Sequence, residues 1–268
     1  MRRIVFILPL LLACSQTRES EPVPVEFFTE GTRAFQETTT SNLKGFYVTA
    51  RNTSGKVLWE NVPFVQDEGG NRFTGGMYWP QTGALSFYAI SRSYPQTISG
   101  GSVLVQPSPA DGDVVSAVKS NASNGSVPGL FFGHIFAALD AVVFTPDEGC
   151  TIDVKALSCR SASGGTYDIA SGSWASTDAL GAPVSIDSPS LENRNIGILC
   201  VPGECIISVS YDCTFGGFTE SYTTSATVTL PIGRKSTVSG TLKTASGLVN
   251  LNVTVNNWDE EIINNNDL

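Results

Sequence analysis

The sequence predicts an all-β protein with two β-sandwiches in tandem, and three observations lead to this fold class. First, serine, threonine, valine and asparagine abound among its 268 residues, and 26 are glycine, whereas lysine and glutamate are sparse. Such a composition is typical of sheets whose outer faces carry polar and β-branched side chains. Second, short segments with alternating apolar residues recur along the chain. Third, turn signals separate these segments at regular intervals in each half, which indicates two sandwiches.

Residues 1–13 have the layout of a lipoprotein signal peptide. Arg2 and Arg3 supply a positive start, and the apolar run that follows ends at Leu12. This run is far shorter than the ~20 residues that span a bilayer. Leu-Leu-Ala before Cys14 resembles the bacterial lipobox, so we expect cleavage just before Cys14 and lipidation of its side chain. A secretory signal peptide with a coincidental cysteine is the alternative.

Residues 14–22 form a polar tether, and the first predicted strand follows it. Alternation puts three apolar side chains on one buried face of this strand, namely Val23, Val25 and Phe27. A polar loop then leads to Arg33 and Ala34, where a trypsin-like protease would cut and release the strand. Losing one strand exposes unpaired N–H and C=O groups, which are a template for a strand of another molecule. The alternative for Arg33 is an ordinary solvated arginine.

Residues 23–136 are predicted to form the N-terminal sandwich, with the first strand as its removable part. Alternating apolar faces predict two further strands, at Phe46, Val48 and Ala50 and at Leu85, Phe87 and Ala89. The longest apolar run, residues 130–144, suits one long strand better than a helix. We place the domain boundary inside this run, so that the C-terminal sandwich begins at Ala137 and covers residues 137–268.

The C-terminal half repeats the same pattern of short strands and turns. Its predicted apolar faces are Cys150, Ile152, Val154 and Ala156; Ile196, Ile198 and Cys200; Cys205, Ile207, Val209, Tyr211 and Cys213; Ala226, Val228, Leu230 and Ile232; and Val249, Leu251, Val253 and Val255. Pro202-Gly203 is expected to join two of these strands in a tight hairpin.

The cysteines raise the question of a disulfide. If Cys14 is lipidated, five remain, all in the second half, so at least one is a free thiol or pairs with another chain. In the expected hairpin, Cys200 and Cys205 would be cross-strand neighbours and candidates for a disulfide. We favour the alternative that both are small buried apolar residues, because strained cross-strand disulfides are uncommon.

Several classes of function are disfavoured by the sequence. The net charge of −9 and the pI near 4.6 argue against nucleic-acid binding, which requires a basic face. The single histidine, His134, lies in the most apolar run, and a core or inter-domain histidine is far commoner than a catalytic one in that setting. We find neither a nucleophile elbow nor a phosphate loop. We therefore expect no enzyme, metal or cofactor.

Several motifs together resemble the fimbrillin family, the type V pilins and their accessory subunits. They occur in the expected order over nearly the whole chain: the lipobox at Cys14, Thr32-Arg33-Ala34, Phe46-Tyr47-Val48-Thr49-Ala50, Tyr78-Trp79-Pro80, Leu85-Ser86-Phe87-Tyr88-Ala89, Phe132-Gly133-His134, Gly165-Thr166-Tyr167-Asp168, Gly172-Ser173-Trp174, and Val253-Thr254-Val255 before Trp258. The resemblance implies two transthyretin-like sandwiches, export as an outer-membrane lipoprotein, and strand exchange with other pilin subunits after proteolysis. It also implies a packing role for Trp79.

The C-terminus departs from the stalk pilins of that family, in which a further apolar strand follows the tryptophan. Here Trp258 is followed by DEEIINNNDL, which has no alternating apolar residues. We therefore expect a tip or accessory subunit of a cell-surface fimbrium that functions in adhesion. The alternative is a surface lipoprotein that never polymerises and binds a glycan or a host protein, which an exposed aromatic platform on a sheet face would favour. A hydrolase ranks last.

Overall fold

The computed structural model describes residues 22–29, 43–68, 72–92, 102–107, 112–187, 189–243 and 251–257. In these ranges the chain forms strands β1 Pro24–Thr29, β2 Gly45–Asn52, β3 Val57–Gln66, β4 Arg72–Tyr78, β5 Leu85–Ile90, β6 Ser102–Val105, β7 Val115–Ala122, β8 Gly129–Leu130, β9 Gly133–His134, β10 Ala137–Pro146, β11 Thr151–Arg160, β12 Gly165–Asp168, β13 Ser173–Thr177, β14 Val184–Asp187, β15 Glu192–Asn193, β16 Ile198–Cys200, β17 Gly203–Phe215, β18 Phe218–Leu230, β19 Arg234–Leu242 and β20 Leu251–Asn257. The described residues contain no helix, so the predicted all-β class is confirmed. Consequently, none of them belongs to a membrane-spanning helix.

The N-terminal half is built on one eight-stranded sheet with the order β8-β1-β4-β3-β2-β5-β7-β9. The sheet folds over on itself, because the ring of Phe27 on β1 meets the ring of Phe87 on β5 although these two strands do not pair. Phenylalanines fill the space between the two layers, and five of them are almost completely buried: Phe27, Phe46, Phe64, Phe73 and Phe87. This packing makes the N-terminal half a sandwich with an aromatic core.

The C-terminal half is a sandwich of two sheets. One sheet has the order β15-β10-β19-β20, with β16 also paired to β10, and the other has the order β14-β11-β17-β18. The two sheets share a buried core to which β10 contributes Leu139 and Phe144, and to which β11 and β17 contribute Leu157 and Ile207. Strands β10 and β19 run parallel, whereas β17 pairs antiparallel with both β11 and β18.

A third, smaller sheet joins the two halves of the chain. It has the order β13-β12-β6, and Gly165 to Asp168 of β12 pair antiparallel with Val105 to Ser102 of β6. Ile90 and Phe136 contribute to the buried cluster beneath it. The sequence-based boundary at Ala137 coincides with the start of β10 and remains a prediction, since these strand pairs connect residues on both sides of it.

Two local expectations are corrected by the strand pairing. Residues 130–144 do not form one strand: β8, β9 and β10 divide this run because they pair with different partners, and Phe131 between β8 and β9 is exposed. Pro202-Gly203 does not close a hairpin either. Cys200 on β16 pairs with Ala137 in one sheet, while Cys205 on β17 pairs with Val228 in the other, so the chain crosses between the two sheets here.

Candidate functional site

The strand β1 is an interior strand of the N-terminal sheet. It pairs antiparallel with β4, where Phe27 is opposite Phe73, and parallel with β8, where Phe28 is opposite Gly129. Its connection to β4 extends beyond the strand, because the N–H of Trp79 donates to the carbonyl oxygen of Val23 over 2.9 Å. Removing β1 would therefore open a slot between β4 and β8, with backbone groups unpaired on both sides.

The inward face of β1 carries two buried side chains. Val25 is 1 % exposed and Phe27 is fully buried, whereas Val23 precedes the strand and is 44 % exposed. The expectation that Val23 shares the buried face is therefore wrong, because the chain has not yet entered the sheet at this residue. The ring of Phe27 lies 4.9 Å from that of Phe64 and 4.9 Å from that of Phe87, both edge to face. Edge-to-face contacts of this kind add to the stabilisation that burial provides.

The outward face of β1 is polar. Glu26 Oε2 accepts a hydrogen bond from Arg72 Nη1 over 2.8 Å, and Arg72 is largely exposed. An exposed pair of this kind stabilises a fold by roughly 0–1 kcal/mol. The contribution of β1 to stability therefore comes mainly from Val25, Phe27 and its backbone hydrogen bonds.

The expected lipidation and cleavage sites are outside the described residues, namely Cys14 with the signal peptide 1–13, and Arg33 with Ala34. The C-terminal tail, residues 259–268, is outside them as well. The described part of β1 ends at Thr29, four residues before Arg33, and the description resumes at Leu43, which is buried in the N-terminal core. The assignments at these sites remain predictions.

Trp79 is buried, and its ring packs edge to face against Phe87 with centroids 5.6 Å apart. This contact agrees with the packing role expected for Trp79. The neighbouring Tyr78 ends β4 and is 54 % exposed. Three described aromatic residues are more exposed than Tyr78, namely Phe131, Phe215 and Phe218. Phe215 and Phe218 flank the turn between β17 and β18, and Phe131 lies between β8 and β9, so these three residues do not form one platform on a sheet face.

The single histidine pairs with an aspartate that sequence reasoning missed. Nδ1 of His134 lies 2.7 Å from Oδ2 of Asp113, and both side chains are buried. Burial raises the pKa of Asp113 above its ordinary value, although the hydrogen bond to His134 acts in the opposite direction. Asp113 precedes β7, and only the pairing of β7 with β9 brings it to His134. No local pattern in the sequence could have indicated this contact.

An open cavity of about 380 Å³ lies beside this pair, between the two halves of the chain. Ser116, His134, Tyr167 and Ser171 contribute polar groups to its lining, and Phe131 contributes an exposed ring. The Ser116 and Tyr167 hydroxyl oxygens are 2.9 Å apart and hydrogen-bonded to each other. The cavity offers hydrogen bonds and one aromatic face to a small molecule.

Cys200 and Cys205 are not bonded to each other in this structure. No S–S bond joins the five cysteines of the second half in it, namely Cys150, Cys159, Cys200, Cys205 and Cys213. Cys200 and Cys205 are buried, as the packing alternative expects. The sulfur atom of Cys159 on β11 lies within 4.8 Å of both, and no local pattern links this residue to them.

Comparison with solved structures supports the fold. The chain resembles a fimbrial protein from Bacteroides vulgatus ATCC 8482 at 12 % identity and a TM-score of 0.60, covering 87 % of this chain and 99 % of that one. It resembles a protein from Bacteroides uniformis ATCC 8492 assigned to cell adhesion at 16 % identity and a TM-score of 0.58, with coverages of 89 % and 99 %. A search of curated proteins finds no match.

A protein-family model matches most of this chain. The model described as fimbrillin-like matches residues 32–258, which is most of the 268-residue chain. The matched region contains β2 to β20 and the motifs from Thr32 to Trp258, and it begins after β1 and Cys14. This chain therefore belongs to the fimbrillin-like family.

Proposed function

We propose that this chain is a fimbrial subunit that is exported as an outer-membrane lipoprotein and assembled at the cell surface by protease-triggered strand exchange, in the service of adhesion. Its role is that of a tip or accessory subunit rather than a stalk subunit. Cys14 carries the lipid anchor until a protease cuts between Arg33 and Ala34. The cut separates β1 and the anchor from the rest of the chain.

The position of β1 carries this proposal. Removing β1 leaves β4 unpaired along the shared register and leaves β8 unpaired at Gly129 and Leu130, whereas removing an edge strand would leave one unpaired edge. An incoming strand that enters the slot regains backbone hydrogen bonds on both sides. Its apolar side chains also fill the space that Val25 and Phe27 occupy. Burying one such side chain stabilises the protein by roughly 1.5–3 kcal/mol.

The C-terminal tail supports a terminal role. Residues 259–268, DEEIINNNDL, begin with three acidic residues and lack the alternation with which a strand would fill an apolar slot. A subunit whose residues 259–268 do not serve as a donor strand accepts a neighbour through its slot but offers none from this segment. We therefore place it at an end of the fibre. Its partners are other pilin subunits, and a host or bacterial surface ligand is the expected target of adhesion.

The test uses two forms of the protein, one starting at Ala34 and one that keeps β1, each mixed with a synthetic peptide of the C-terminal strand of a stalk pilin. The form that starts at Ala34 should bind the peptide stably, and the form that keeps β1 should not, because its slot is filled. The shorter form should remain free of long fibres in electron micrographs. If the pure shorter form assembles into long fibres, the protein is a stalk subunit and the proposed tip or accessory role is wrong.

A failure of both forms to bind any donor peptide would contradict strand exchange. Such a result, together with native protein that retains acylated Cys14, would favour the alternative of a lipoprotein that stays anchored. Mass spectrometry of the protein from native outer membranes distinguishes these cases, because a mature N-terminus at Ala34 accompanies assembly and one at Cys14 does not.

A further inference from the structure

Three buried thiols from three strands meet inside the C-terminal sandwich. Cys159 is on β11, Cys200 on β16 and Cys205 on β17, and all three sulfur atoms lie within 4.8 Å of one another. The Cys159 and Cys200 sulfurs are 3.5 Å apart. Each residue is 2 % exposed or less. Since β16 belongs to one sheet and β11 and β17 to the other, the group spans the space between the two sheets.

The surroundings of this thiol group disfavour a metal ion. A structural zinc site takes four ligands, and this group contains three candidate ligands. Three thiolates around Zn²⁺ would leave a net negative charge among apolar neighbours such as Leu157, Ile207 and Leu230. Burying an uncompensated charge is costly, whereas a disulfide is neutral and fits an apolar core.

We propose that Cys159 and Cys200 form a disulfide in the exported protein, and that Cys205 remains a thiol beside it. The bond shortens the distance between the two sulfur atoms from 3.5 Å to about 2.05 Å. The oxidant is a second disulfide, either oxidised glutathione or a disulfide-carrying oxidoreductase. Its S–S bond breaks as the new one forms, and it takes up the two electrons and the two thiol protons.

This inference rests on the export that the proposed function includes, because the reducing cytosol keeps thiols free. It also requires oxidation during folding, before the sandwich closes. All three thiols are at most 2 % exposed, so a disulfide oxidant cannot reach them in the folded protein. Disulfide exchange requires access of the oxidant to the attacking thiol, and Cys159 and Cys200 have that access only while the chain is unfolded.

The bond would span the segment of the chain that contains β12. After β11 ends at Arg160, β12 and β13 leave the sandwich, and the chain re-enters it at β14, which pairs with β11, and at β15, which pairs with β10. Cys159 precedes this segment and Cys200 follows it. Within the segment, β12 pairs with β6 of the N-terminal half. A disulfide here would hold both ends of the segment that connects the two halves.

Peptide mapping tests the pairing directly. The exported full chain is alkylated under denaturing, non-reducing conditions and digested with trypsin and a glutamate-specific protease. The sequence places Cys159 in peptide 156–160, Cys200 in 195–204 and Cys205 in 205–220. We expect peptides 156–160 and 195–204 to be linked, and Cys205 to be alkylated. Separate recovery of alkylated 156–160 and 195–204, or a link from 156–160 to 205–220, would overturn the assignment.

Thermal unfolding with and without reductant provides a second measurement. Cys213 also contacts Cys150, so both are replaced by alanine to isolate the group of three. Closing a loop of this length predicts that reduction lowers the Tm by on the order of 10 °C. The shift should persist in Cys205→Ala and vanish in Cys159→Ala and Cys200→Ala. A shift that persists in Cys200→Ala would contradict the pairing.

Refolding of the reduced chain with oxidised glutathione separates this inference from the export on which it rests. A Cys159–Cys200 link in the refolded protein, together with free thiols in the protein recovered from cells, supports the pairing and counts against export. Free thiols in both samples overturn the pairing. One zinc ion per chain, released by a chelator with the exposure of three thiols, would overturn it as well.

Discussion

The rings of Phe27 and Phe87 lie 4.9 Å apart between centroids and nearly perpendicular, at 87°, although their strands do not pair. The contact connects β1 with β5 across the interior of the N-terminal sandwich. It is the point at which the first strand is most firmly joined to the core, because Phe27 also packs edge to face against Phe64.

Phe27→Ala in the form that keeps β1 should lower the free energy of unfolding by about 3–5 kcal/mol, since it leaves a cavity among aromatic rings. Val23→Ala is the matched control on the same segment. Val23 is 44 % exposed, so its loss should change the stability by about 0.5 kcal/mol or less. Urea unfolding of both variants checks the difference, and equal effects would contradict the burial pattern of β1.

Gly165→Ala should destabilise the sheet that joins the two halves. A Cβ atom at Gly165 would lie 2.2 Å from the carbonyl oxygen of Ser176 on β13, and a backbone neighbour cannot move aside as a flexible side chain can. We expect a loss of about 1–3 kcal/mol or more. Gly133→Ala is the control, since its Cβ would meet nothing within 4 Å. Similar Tm values for the two variants would refute this packing.

The stability of Asp113→Asn relative to the parent protein should rise with pH. Burial raises the pKa of Asp113 in the folded protein above 3.8, its value in the unfolded chain. At pH values between these two pKa values, the folded state therefore holds the proton more tightly than the unfolded chain does. The parent therefore loses stability as the pH increases through this window, and the variant, which lacks the titrating group, does not. Urea midpoints of both proteins from pH 4 to 7 measure the difference, and parallel profiles would argue against a buried carboxyl.

Arg33→Ala should block the conversion of the longer form to the shorter form and keep β1 in its sheet. The competing cleavage sites are Arg18 in the tether and Lys44 just before β2. Cutting after Arg18 would release the lipid without opening the slot, so Arg18→Ala serves as the control. Mass spectrometry of the N-terminal peptide identifies the cleavage site. A mature N-terminus at Ala34 in the Arg33→Ala variant would contradict cleavage by a trypsin-like protease after Arg33.

Cys14→Ser should leave an unprocessed or mislocalised precursor, since the serine hydroxyl is not the lipid acceptor of a lipobox. The parent protein should fractionate with the outer membrane through its acyl chains, each buried CH₂ of which contributes about 0.8 kcal/mol. Membrane fractionation and intact mass measure both effects. Outer-membrane association of the variant at the parent's level would contradict a lipid anchor at this residue.

Local patterns in the sequence predicted the strands well. The alternation of Phe46, Val48 and Ala50 and that of Cys205 to Cys213 both correspond to strands whose inward side chains are buried. Period-two alternation reports on which face of a strand is buried, and that property depends on the residues of the strand itself. The all-β class and the first strand followed from the same signal.

Long-range pairing could not be predicted in the same way. The pairing of β6 with β12 joins residues about sixty positions apart, and neither strand is long enough to show a periodic pattern. The same limit explains the mistaken hairpin between Cys200 and Cys205, because a short turn signal does not indicate that the chain changes sheets. Asp113 was missed as a partner of His134 for this reason too.

The sheet formed by β6, β12 and β13 has a mechanical consequence. A subunit within a fibre is pulled from its ends, and tension on the chain at Ala137 would be borne by a single covalent connection if the halves were otherwise separate. The antiparallel pairs between β6 and β12 provide a second path for this load. Because several hydrogen bonds in one sheet share the force, we expect the two halves to resist extension and twisting as one rod.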